Sequence, residues 1–172
     1  MPSADDLNML SASDSQAWGG LLRTHKLIMA AMSQELEDQH GLALTSYDVL
    51  RHIALADGQR LRMSQLAEQV MITRSGLTGV VGRLEAAGLV RRDSADCIDG
   101  RGAYASITGS GWKVLLKAND TITTLINQLF LNHLTEHDLA DLRRVWRKLG
   151  TVAQGPGQLV SPRSQLASHL RP

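Results

Sequence analysis

The 172-residue sequence predicts a mainly α-helical chain with one small β hairpin near its middle. Three observations point there. Apolar residues recur at three- and four-residue steps over a long stretch toward each end of the chain. Between them lie two short amphipathic segments joined by a tight turn, followed by two runs of strand-forming residues around a glycine-containing loop. The composition, 43% hydrophobic and 20% charged, is that of an ordinary globular protein and argues against a disordered or collagen-like chain.

The elements follow in order. Residues 1–14 carry Asp5, Asp6 and Asp14 without a Lys or Arg, the opposite of a secretory or transit leader, and read as a flexible N-terminus of a cytoplasmic protein. Trp18, Leu21, Leu22, Ile28, Met29, Met32 and Leu36 trace one face of a long helix from Ser15 to His40, closed by Gly41. Thr45 or Ser46 is positioned to cap a second helix carrying Val49, Leu50, Ile53 and Ala54, with Gly58 after it. Ser64 opens a short third helix with Leu66, Ala67 and Val70 inward. Past the Met71-Ile72 turn, Thr73 caps a fourth whose stripe is Leu77, Val80, Val81 and Leu84, and Gly88 ends it. Two short helices with a tight connection are a helix-turn-helix. Leu89 to Asp93 and Ala103 to Thr108 then form the hairpin, so residues 45–108 read as a winged helix-turn-helix.

After Thr108, a helix cap, Trp112, Leu115, Leu116, Ile122, Leu125, Ile126, Leu129 and Phe130 describe a second long amphipathic helix. Thr135 opens the last, with Leu139, Leu142, Val145, Trp146 and Leu149 on one face. These stretches, 15–44 and 109–153, carry more apolar surface than the small central domain can cover, which predicts a homodimer built on them. Residues 154–172, rich in Gly, Pro, Ser and Gln, read as a disordered tail.

The formal net charge of +1 becomes informative once divided along the chain: −5 over residues 1–57, +2 over 58–102 and +4 beyond. All seven cations of the middle segment are Arg, the side chain suited to bidentate phosphate and guanine contacts. No apolar run reaches membrane-spanning length, so no membrane partner is expected. Cys97 is the only cysteine, which excludes an internal disulfide. Nothing matches a phosphate-binding glycine loop, a nucleophile elbow or a metal-ligand set, so neither an enzyme nor a cofactor is expected. His133 and His137 are four apart, but Thr135 starts a helix between them and spoils the one-face geometry of a metal pair.

Three stretches carry a family resemblance: Met63-Ser64-Gln65-Leu66-Ala67, then Leu84-Glu85-Ala86-Ala87-Gly88-Leu89-Val90-Arg91-Arg92, then Asp99-Gly100-Arg101-Gly102 followed by Ile107-Thr108-Gly109-Ser110-Gly111. The first two occur in many winged helices. The third, an Asp-x-Arg wing tip leading after a strand into an Ile-Thr-x-x-Gly helix start, is more specific. In this order, over residues 15–152, the chain resembles the MarR family of winged-helix transcription regulators. The resemblance implies a homodimer held by its terminal helices on a near-palindromic double-stranded operator, commonly a repressor released by a small aromatic or phenolic ligand.

On the fourth helix, with Leu77, Val80, Val81 and Leu84 inward, Ser75, Gly79, Gly82 and Ala86 fall near the centre of the opposite face. Each interior glycine costs about 1 kcal/mol relative to alanine, so Gly76, Gly79 and Gly82 need a compensating close approach. A DNA major groove is one, with Arg74, Ser75, Thr78 and Arg83 reaching bases or phosphates around Gly79; a neighbouring protein element is the other. The resemblance puts Arg101 in the minor groove with Asp99 fixing the loop. Arg91 and Arg92 occupy consecutive strand positions, so one can meet phosphate while the other faces solvent or an acid. Trp18, His25 and Met29, with His52 on the second helix, are candidates for a ligand cleft, against the plainer reading as dimer core. Cys97 sits among arginines that favour a thiolate, raising an oxidation-responsive regulator as an alternative to an incidental surface thiol. A winged helix used only for protein interaction is the other alternative.

Overall fold

A computed structural model describes residues 10–93 and 103–153; of residues 151–153 only the backbone. Helix α1 spans Ala12–His40 and starts earlier than the apolar pattern suggests, because Ser11 accepts a hydrogen bond from the Asp14 amide and caps it. Gly41, at φ 57°, ends it, and the Leu42 amide reaches back to the Leu36 carbonyl. That tight reversal brings α2, Leu44–Leu55, forward. Its N-cap is Ala43, whereas Thr45 lies in the first turn and Ser46 is buried there. Neither acts as the expected cap.

A single 3-10 turn at Asp57–Gln59 leads to strand β1, Arg60–Arg62, which the sequence did not announce. Three residues with one apolar side chain are too few to reveal a strand period; the strand exists because β3 pairs with it. Helix α3, Met63–Val70, and helix α4, Arg74–Ala86, form the helix-turn-helix. Met71 between them takes a left-handed φ of 58°, and the Thr73 hydroxyl caps α4 by accepting from the Gly76 amide at 3.1 Å. Strands β2, Val90–Asp93, and β3, Tyr104–Ile107, complete an antiparallel sheet in the order β1-β3-β2.

Helix α5, Gly109–Leu129, is capped by Thr108, whose hydroxyl accepts from the Gly111 amide. A 3-10 turn at Leu131–His133 precedes α6, Glu136–Ala153, where Thr135 and Asp138 cap each other reciprocally. The core joins Leu36, Val49, Leu50, Ile53, Leu66, Leu77, Val81, Val90, Ala105 and Leu115, so α2 is the hub that α3, α4, the sheet and α5 pack around. Of α1 only Leu36 is buried, and among the described residues no α6 side chain joins the core. Among the described residues no helix is long and apolar enough to cross a membrane.

Candidate nucleic-acid interface

Helix α4 presents a polar, nearly bare outer face: Arg74, Ser75, Gly76, Thr78, Gly79 and Arg83 are all exposed, opposite buried Leu77, Val80, Val81 and Leu84. The three glycines have three different surroundings. A Cβ on Gly76 would lie 3.1 Å from the Thr73 cap oxygen. One on Gly79 would meet only the Arg83 guanidinium, at 3.8 Å, so the centre of the face is open. One on Gly82 would come within 3.3 Å of the Arg92 guanidinium. Gly82 therefore accommodates protein, while Gly79 leaves room for something outside the chain.

Arg91 and Arg92 part at the sheet. The pairings Arg60↔Ser106↔Arg91 and Arg62↔Tyr104↔Asp93 put those residues on one face of the sheet, and Leu61↔Ala105↔Arg92 on the other, toward α4. There the Arg92 guanidinium donates to the Thr78 carbonyl at 3.0 Å, and its Nε lies 3.2 Å from Glu85 Oε2, an ion pair not aligned as a hydrogen bond. The Arg92 amide donates to the other Glu85 oxygen. Arg92 is thus a strut between β2 and α4 rather than a free phosphate contact. Arg91 stays on the outer face, 71% exposed, with its Nε 3.0 Å from Asp93. Hydrogen bonds from Arg91 and then Ser106 hold the Asp93 carboxyl below the usual carboxylate range.

The hydroxyl of Thr78 donates to the Arg74 carbonyl, which leaves its oxygen lone pairs and methyl outward. Ser75 lies 3.2 Å from the Thr73 hydroxyl. Cys97, Asp99 and Arg101 lie outside the described residues, as does the tail.

The candidate ligand residues are not gathered by one chain. Trp18 and His25 are exposed on the part of α1 that leaves the core, Trp18 about 27 Å of helix rise from Leu36. Met29 is half-buried. Burial first, then Arg51, lower the His52 pKa, against the pull of Asp48 and of Gln69 on α3. Burial raises the Asp48 pKa in turn. Arg51, which sequence reasoning passed over, is therefore the permanent cation beside His52. The α1–α2–α5 junction is tied by His40 to Thr121 at 2.8 Å and by Tyr47 donating to Asn119 at 3.1 Å. His133 and His137 fall on different elements, and no three His, Cys, Asp or Glu side chains gather as a metal site among the described residues.

This arrangement is that of a winged helix-turn-helix protein with long flanking helices. Residues 40–97 match the model of the MarR family. Two crystal structures of MarR-family transcriptional regulators from Streptomyces coelicolor are similar in fold and sequence. AbsC has 27% identity and a TM-score of 0.79, covering 86% of this chain and 99% of its own. Sco3205, solved in complex with DNA, has 28% identity and a TM-score of 0.78 over 86% and 95%. Bordetella bronchiseptica BpsR, described as regulated in DNA binding by 6-hydroxynicotinic acid, shares the fold at 21% identity and a TM-score of 0.65, over 78% and 98%. No curated protein matches the sequence. Over residues 40–97 the chain thus matches the MarR family, and its fold is similar to that of MarR-family regulators.

Proposed function

We propose that the protein is a homodimeric, sequence-specific DNA-binding transcriptional regulator that acts as a repressor in the cytoplasm. The observation that carries this reading is the exposed outer face of α4, open at Gly79 and flanked by Arg74, Ser75, Thr78 and Arg83. A helix bare at its centre can sit deep in a major groove, where Arg reads guanine and the Thr78 methyl or oxygen meets a base edge. Arg91, Asp99 and Arg101 of the wing extend the contact to the backbone and minor groove. The DNA complex of Sco3205, alike in fold and in sequence, supports the same use here.

Segments 15–44 and 109–153 supply the dimer, with 45–108 as the DNA-binding unit. Trp18, Leu21 and Leu22 on α1, and Val145, Trp146 and Leu149 on α6, are exposed apolar side chains on helices that one chain leaves uncovered. An 18-residue helix touching little else of its own chain is marginal alone, so a second copy is its natural support. A small aromatic or phenolic acid would bind near the α1–α2–α5 junction, with Trp18, His25 and Met29 from one or the other protomer beside His52. Because His52 has a lowered pKa, Arg51 supplies positive charge for such an anion at neutral pH.

Fluorescence anisotropy with duplexes tiling the region upstream of the coding sequence tests the reading. Saturable binding to one near-palindromic duplex at two chains per site is expected. Uniform weak binding to every duplex would favour a protein-interaction module.

A further inference from the structure

Thr78, exposed on α4, is held at both its side chain and its main chain. It stands between Gly76 and Gly79 and one turn before Gly82, a stretch whose glycines give the helical backbone little stiffness of its own. The ties come from elsewhere. Its hydroxyl donates to the Arg74 carbonyl at 2.9 Å, which sets the side-chain rotamer. Its carbonyl accepts from the Arg92 guanidinium at 3.0 Å, which sets the backbone.

Steps of four and three residues put Thr78, Gly82 and Glu85 on one flank of α4, and Arg92 of β2 lies along it. Glu85 anchors the near end, accepting from the Arg92 amide with one carboxylate oxygen and holding the other 3.2 Å from Nε. The guanidinium then passes Gly82, where a Cβ would stand 3.3 Å from its terminal nitrogen, and ends on Thr78. The α-helical pattern already commits one lone pair of the Thr78 carbonyl to the Gly82 amide, so Arg92 takes the second. A guanidinium paired with Glu85 and aimed at a backbone carbonyl serves the helix rather than a phosphate.

We propose that Thr78 selects an A·T base pair in the major groove and that Arg92 is its positioning residue. The inference rests on the DNA-binding reading and deepens it. With its proton committed to the Arg74 carbonyl, the Thr78 hydroxyl accepts a hydrogen bond but has none to give, and the methyl is its other outward group. An A·T pair offers one partner for each: the adenine N6 donor and the thymine methyl. A G·C pair has no methyl, and its guanine N7 and O6 are acceptors that would face the hydroxyl oxygen with no proton between them. Because the Thr side chain is short, it stays on a base edge only while the α4 backbone keeps its place, and that is what Arg92 secures.

The test is anisotropy of the full chain on its upstream duplex and on duplexes that each exchange one base pair of a half-site, across a salt series. The parent is expected to show one A·T pair whose exchange for G·C weakens binding ~10-fold, a preference that Thr78→Ala removes at that pair alone. Arg92→Gln lowers the preference at the same pair and leaves the slope of log affinity against log salt unchanged, since no phosphate contact is lost. Arg92→Lys does the same while keeping the charge beside Glu85, because one ammonium cannot also span to Thr78; it carries the test should Arg92→Gln fail to fold. Added to Thr78→Ala, either Arg92 substitution costs nothing further at that pair. Preferences intact at every pair in Thr78→Ala, or lost at a G·C pair, overturn the base selection. An undiminished preference in the Arg92 variants, or a salt slope reduced by about one per protomer in Arg92→Gln, overturns the positioning role. A merely structural Arg92 would lower the urea midpoint and leave the preference untouched, which also overturns it. A parent that binds all duplexes equally overturns the underlying reading instead.

Discussion

Gly111 and Gly82 are glycines for reasons of contact. A Cβ on Gly111 would fall 2.1 Å from the Leu89 carbonyl oxygen and 2.8 Å from Ile107, so α5 starts close against the end of α4 and the sheet only because that atom is missing. Gly111→Ala is therefore expected to lower stability by about 2–3 kcal/mol despite alanine's better helix propensity, read by thermal or urea unfolding. Gly82 is softer, since its neighbour is the end of the Arg92 side chain at 3.3 Å. Gly82→Ala should be near neutral in the parent but stabilising by about 1 kcal/mol once Arg92→Ala has removed the obstruction, a coupling that a double-mutant cycle measures. Gly79 has only Arg83 nearby. Gly79→Glu should abolish operator binding by placing a carboxylate against phosphate, while raising stability by about 1 kcal/mol through helix propensity and a pair with Arg83. A lower melting temperature with intact DNA binding would show that Gly79 faces protein.

At the scale of elements, α2 is the hub, and it carries the half-buried His52. The sign of its pH effect follows from its lowered pKa: the unfolded chain takes up the proton more readily, so the stability is complete above the ordinary value of 6.5 and is lost as pH falls through it toward the folded value. The raised Asp48 pKa acts oppositely, with cost at neutral pH that is relieved on further acidification toward 3.8. Thermal melts between about pH 7.5 and 5.5 should show a declining midpoint that His52→Gln flattens. An equal decline in that variant would assign the effect to other groups. The β1 strand, by contrast, is an element that its own three residues cannot specify, because its pairing with β3 supplies the register that brings Arg62 to Tyr104.

For the whole molecule, the uncovered faces of α1 and α6 predict a dimer with a sedimentation mass near twice 18.7 kDa at micromolar concentration. Trp146→Glu combined with Leu149→Glu should yield monomer and a loss of operator affinity, because two recognition helices must sit about one helical turn of DNA apart to bind together. A monomer of the unaltered chain that holds the operator equally well would remove the dimer from the mechanism. The proposed ligand response belongs to this scale too: an aromatic acid acting that way would lower operator affinity only by the difference between its affinities for two spacings of the proposed dimer.

The order of helices, the helix-turn-helix between Met63 and Ala86, and the caps at Thr73, Thr108 and Thr135 were legible in the sequence, because periodicity and capping act between residues three or four apart. So were the open face at Gly79 and the cap and glycine of the Thr108–Gly111 start, although not the Leu89 carbonyl that makes that glycine necessary. What tertiary structure alone decided was the division of labour among the arginines. Arg91 and Arg92 are adjacent and chemically identical, yet the sheet register turns one to solvent and the other into Glu85 and Thr78. Arg62 gains its place from Tyr104, 42 residues away. Local sequence sets what a segment prefers to form; which side chains then meet depends on strand pairing and packing between distant segments, and no spacing along the chain encodes that.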